Sequence, residues 1–112
     1  MKNTNLVVLC GNLTRDCETS STSKGDSQVE FGIAVNDFNE RVDFFECVWY
    51  GEGGMALSPY LKKGVKINLI GRLRREEWQK DGSKHSRVRV KVSSVEMLIW
   101  PEKKTADEDI PF

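Results

Sequence analysis

Val65-Lys66-Ile67-Asn68-Leu69-Ile70-Gly71-Arg72-Leu73-Arg74 runs toward Asp81-Gly82, and Arg87-Val88-Arg89-Val90-Lys91-Val92 follows. Odd positions of the first segment are apolar or glycine, and most even positions are polar or basic. Successive side chains of a strand point to opposite faces, so this alternation predicts a half-buried strand. Asp-Gly supplies the two left-handed residues that a tight reversal between strands needs. The second segment alternates again, with Arg87, Arg89 and Lys91 on one face and Val88, Val90 and Val92 on the other. The reading is a long hairpin whose basic side chains share a face, with Trp78 near its tip.

Working back from the hairpin, Gly64 suits the end of a short helical stretch, Met55 to Leu61, whose length Pro59 limits. Gly53-Gly54 loosens the chain before it, so the helix is expected to start late. Residues 42–50 read as a strand by parity: Phe45, Cys47 and Trp49 face inward, and Phe44, Glu46, Val48 and Tyr50 face out. Residues 37–41 are a polar connection carrying Phe38. Val29, Phe31, Ile33 and Val35 alternate with polar or small residues, another half-buried strand. Residues 19–27 read as a loop, and 5–13 as a near-continuous apolar strand expected to be buried on both faces or to lie between sheets. Five strands with one short helix between the third and fourth predict an all-β domain over residues 1–100, a five-stranded barrel of the OB type. Residues 101–112 lose all periodicity and read as a short linker and a disordered acidic tail.

Length and composition narrow the function. A chain of 112 residues with 30% charged side chains forms one globular domain. Its apolar runs fall short of a membrane span, and the N-terminus lacks signal-peptide architecture, so a cytoplasmic protein is expected. Cys10, Cys17 and Cys47 are odd in number and form no CxxC pair, which points to free thiols in a reducing compartment. His85 is the sole histidine and reads as a solvated turn residue. Metal clusters, phosphate loops and nucleophile constellations are missing from the sequence, so neither an enzyme nor a cofactor is expected.

The formal net charge of zero conceals an asymmetry. Residues 1–61 carry net −5, residues 62–91 net +8 and residues 92–112 net −3. A basic stretch of this density is suited to a polyanion. Outward aromatics beside it, Phe38, Phe44, Tyr50 and Trp78, are candidate stacking surfaces for bases. Lys62, Lys63, Arg72, Arg74, Arg75, Arg87, Arg89 and Lys91 are candidate phosphate contacts. Stacking plus cations is what sequence-tolerant single-strand binding requires. The segment Asp107-Glu108-Asp109-Ile110-Pro111-Phe112 has another character: an acidic lead-in, an apolar anchor and the α-carboxylate of Phe112. That is the chemistry of a peptide that docks in a basic-rimmed pocket.

These residues resemble the bacterial single-stranded DNA-binding protein family along nearly the whole chain. The resemblance lies in Asn5-x-Val7-x-Leu9-x-Gly11-Asn12-Leu13-Thr14-x-Asp16, in Phe31-Gly32-Ile33-Ala34-Val35-Asn36 and in Asp43-Phe44. It continues in Pro59-Tyr60-Leu61-Lys62-Lys63-Gly64, Gly71-Arg72-Leu73, Trp78 and the Asp107 to Phe112 tip. It implies an OB-fold homotetramer, nucleoid-associated, that coats single-stranded DNA. It also implies a tip that docks replication, recombination and repair enzymes. By position, Phe44, Tyr50 and Trp78 match the family's stacking aromatics, and Lys62, Lys63, Arg72 and Arg74 its common phosphate contacts. The chain departs from the pattern at Cys17, at Gly53-Gly54-Met55, at the acids Glu46, Glu52, Glu76 and Glu77, and in a linker of only Pro101 to Ala106. Two other readings compete: an RNA-binding or accessory OB module, and a protein-interaction adaptor whose tail is its active part.

Overall fold

The computed structural model describes residues 2–99. In β3 (Ser27–Asn36) the odd side chains Val29, Phe31 and Ile33 are fully buried, and opposite them in β4 (Val42–Tyr50) lie Trp49, Cys47 and Phe45. These cross-strand pairs form one wall of the core. The other wall comes from β5 (Lys66–Lys80) through Ile67 and Leu69, and from β6 (Ser83–Ile99) through Val90 and Val92. Leu13 of β1 (Val7–Leu13), Leu61 and Val65 complete it. Single-face burial of alternating residues on curved strands is what draws a sheet round on itself.

The sheet closes in a ring. β1 pairs antiparallel with β5, β5 with β6, and β3 with β4, while β4 and β6 join in parallel at Cys47–Val90 and Val48–Lys91. β3 completes the circle because its second edge is shared. Ile33 and Ala34 pair with β1, and Ser27 to Glu30 pair with a short strand, β2 (Glu18–Ser21). The expected all-β class with one short helix therefore holds, with six strands where the sequence pattern showed five. Residues 19–21 fall within the segment read as loop because all of β2 is exposed, so it lacks the apolar alternation that would mark it.

Three further expectations are corrected. The helix α1 (Glu52–Leu57) starts at Glu52, includes both glycines, and continues into a 3-10 turn at Ser58–Tyr60. The reason is close approach: a Cβ on Gly54 would lie 3.1 Å from the Trp49 indole, so glycine lets the helix rest on that ring. The strand over 5–13 is buried on one face only. Its odd residues point into the ring, while Val8 is 57% exposed and Leu6 and Cys10 are exposed as well, because among the described residues no second layer covers them. Val48, expected to face water, is buried because the hairpin folds over the outer side of β4. Among the described residues no helix is long and apolar enough to cross a membrane.

Candidate nucleic-acid interface

The β5–β6 hairpin turns at Asp81-Gly82, both with positive φ, 52° and 80°. This two-residue reversal pairs Lys80 with Ser83 and thereby fixes every pair behind it: Trp78 with His85, Glu76 with Arg87, Arg74 with Arg89. These six residues share one face, and Arg72 and Lys91 extend it toward the ring. The basic face expected from alternation is present with one acid, one indole and one imidazole set into it, but Arg75 and Lys84, paired with Val88 and Gln79, fall on the opposite face.

The acid organises the cations. Glu76 accepts hydrogen bonds from Arg87 Nε at 2.7 Å and from Arg89 Nε and Nη2 at 2.8 and 2.7 Å. Arg89 reaches on to Glu30 Oε2 of β3 at 2.6 Å. Hydrogen bonding from Arg89, reinforced by Arg87, outweighs burial and holds the Glu76 carboxyl below its ordinary 4.5. Burial works against the Arg89 charge, yet the Glu76 and Glu30 carboxylates prevail and its pKa is raised. Arg89 was expected on DNA phosphate. It is only 6% exposed and committed to two carboxylates, so it braces the hairpin root against β3 instead.

The remaining cations divide by partner. Arg75 pairs with Glu77 at 3.1 Å, and Arg87 is shared between Glu76 and the Trp78 ring, its Cζ 5.3 Å from the ring centroid. Among the described residues Arg72, Arg74, Lys62, Lys63 and Lys91 make no ion pair with a carboxylate. Lys91 instead places its ammonium 5.6 Å from the Tyr50 centroid. Lys62 and Lys63 stand apart in the turn before β5, where the Lys63 backbone N–H donates to Asp16 Oδ1 at 2.8 Å. Glu46, Glu76 and Glu77 would repel a polyanion if unpaired, but each is matched by arginine; Glu46 takes two hydrogen bonds from Arg15.

The aromatics lie where strand parity places them. Phe44 and Tyr50 are on the outer face of β4, 71% and 37% exposed, and Trp78 is 42% exposed on the hairpin. Tyr50 and the hairpin share an open cleft of about 280 Å³ lined by Val48, Arg74, Arg75, Glu76, Glu77 and Lys91. Phe38 projects fully into solvent from the 37–41 loop, which Asp37 folds by accepting the Asn39 and Arg41 backbone N–H groups. His85, read from the sequence as a solvated turn residue, is exposed but lies in β6 rather than in the turn. Its imidazole stacks on Trp78, with centroids 5.7 Å apart and planes 20° from parallel. The signal was available, because counting outward from Asp81-Gly82 pairs residue 78 with residue 85.

The docking residues Asp107, Glu108, Asp109, Ile110, Pro111 and Phe112, with the rest of the expected tail, lie outside the described residues. Of the thiols, Cys10 is exposed. Burial, then the neighbouring Glu46 charge, pushes Cys47 up to about 12. No group of three or more residues suited to a metal ion occurs among the described residues.

A protein of Treponema pallidum named single-stranded DNA-binding protein is 37% identical over 105 residues, 88% of this chain and 60% of that protein. Proteins of the same name from Borreliella burgdorferi and Fusobacterium nucleatum are 36% and 38% identical. They cover 88% and 82% of this chain, which in turn spans 72% and 65% of theirs. The sequence model of the single-strand binding protein family matches residues 4–98, nearly the whole described ring, and the chain belongs to that family.

Proposed function

We propose that this protein binds single-stranded DNA without sequence preference and protects it during replication, recombination and repair. One observation carries the reading. Exposed rings at Phe44, Tyr50 and Trp78 share an outer surface with Arg72, Arg74 and Lys91, cations that have no carboxylate partner among the described residues. Each stacked base contributes about 1–3 kcal/mol, and stacking accepts any base because every base has a π face. Arg75, Arg87, Lys62 and Lys63 supply further phosphate contacts, the last two where the strand leaves the hairpin. Phe38, fully exposed on the 37–41 loop, offers a further stacking ring at the margin. Family membership and the names of the relatives support the choice of ligand.

The working form is a homotetramer. Val8 and its cross-strand partner Ile70 are exposed together on the outside of the ring, with Leu6, Leu98 and Ile99 also uncovered, and a second copy would bury them. Asp107 to Phe112 recruits replication, recombination and repair proteins by offering an apolar anchor behind an acidic lead-in, in a cytoplasmic, nucleoid-associated setting. Competition binding tests the central assignment. Single-stranded DNA should outcompete both RNA of equal length and duplex DNA; equal or tighter binding of RNA favours the RNA module, and no binding at low salt favours the adaptor. Deleting Phe112 should abolish partner capture and spare DNA binding.

A further inference from the structure

His85 and Arg87 both lie on the Trp78 indole, the first as a stacked ring and the second as a cation. Part of the indole's π surface is therefore already taken before any ligand arrives. What the hairpin presents outward is a composite surface, and the exposed imidazole forms part of it. We propose that Trp78 and His85 act as one preassembled two-ring platform for nucleobases, with His85 itself a base-contacting residue and Arg87 its cationic brace. This rests on the single-strand reading above and assigns a subsite within it.

The geometry favours a fixed platform over a chance contact. Trp78 and His85 are direct cross-strand partners, so the backbone register brings them together. Their centroid distance of 5.7 Å and near-parallel planes fall in the range of offset stacking. Arg87 is held by Glu76, and Glu76 by Arg89, which reaches the ring wall at Glu30. The rings are thus tied through four charged side chains to β3. A platform fixed in advance loses little freedom when a base settles on it. The ligand class is a planar heteroaromatic ring in a polyanionic strand, because neighbouring Lys84 and Arg87 supply phosphate-seeking charge.

The single histidine makes this testable without assignment of the spectrum. The full-length chain is titrated at fixed alkaline pH with a single strand of alternating dA and dC, and the imidazole carbon-bound protons are followed by NMR. The platform predicts a further upfield shift as a base covers the free face of His85 while Trp78 stays on the other. An unmoved resonance overturns it, and so does a downfield shift, which would mean that a base displaces His85 from the indole. In parallel, His85→Ala should weaken binding about fivefold, the lower end of one stacked base, with an unchanged salt slope. His85→Phe should restore binding. If the unaltered chain does not bind the strand, the single-strand reading itself fails; if it binds and His85→Ala binds equally well, only the platform fails.

Discussion

Trp78 shows how one residue joins sequence to function. An indole among charges near a hairpin tip lacks the apolar periodicity of a core position, and the structure leaves it 42% exposed with an arginine and an imidazole against it. Trp78→Ala should weaken single-strand binding by about 1–3 kcal/mol, while the far-ultraviolet spectrum and melting cooperativity stay unchanged. Glu76 sets a different test. Its carboxyl is held below 4.5 in the folded chain, chiefly by Arg89, so its stabilisation is fully present above that value. It is lost as pH falls through the depressed native pKa. Thermal melting from neutral to acid pH should show this loss, and Glu76→Gln should flatten that limb. At neutral pH the same change should destabilise by about 1–3 kcal/mol, because buried Arg89 loses a charged acceptor.

At the scale of elements, the hairpin is where pattern and structure agree best. Alternation and Asp81-Gly82 suffice to place the turn, the pairing and the face that Arg72, Arg74, Arg87, Arg89 and Lys91 share. What they leave out is curvature. Arg89 has the same parity as Arg87, and only the closing of the ring brings it under cover beside Glu30 and Val48. The same holds for Val48, which strand parity puts outside and tertiary folding buries. The acids Glu46 and Glu76 read as local obstacles to DNA because their arginine partners are distant in sequence or across a strand, whereas the partner of Glu77, Arg75, lies two residues away on the same strand. β2 escaped notice because exposed polar residues pair through backbone alone. Curvature also makes Gly71 critical. It sits beside a register shift in the β5–β6 pairing, and an added Cβ would lie 2.4 Å from the Lys91 carbonyl oxygen. Gly71→Ala should therefore cost about 1–3 kcal/mol of stability, read from denaturant unfolding.

For the whole molecule, the outside of the ring has two regions, which meet along β5 between Ile70 and Arg72. One carries Val8, Ile70 and their apolar neighbours, and the other the rings and cations of β4 and the hairpin. The charge asymmetry in the sequence announced the second region, while the outward side of strand 5–13 was not legible because a near-continuous apolar run does not show which face the ring leaves open. Solution mass at micromolar concentration should give four chains per particle, and one chain would contradict the assembly. The logarithm of DNA affinity should fall with the logarithm of salt, by about 0.7 per phosphate neutralised. Arg74→Glu should make that slope shallower, because Arg74 lies in the cleft without a carboxylate partner among the described residues. The most direct test of stacking on the hairpin is a titration of oligo-dT into the protein with intrinsic tryptophan fluorescence as the readout. The account predicts strong, saturable quenching in a Trp100→Phe chain that is mostly lost when Trp78→Ala is added, since the one remaining tryptophan, Trp49, is buried in the core. Fluorescence unchanged by oligo-dT, or quenching that survives loss of Trp78, would contradict it.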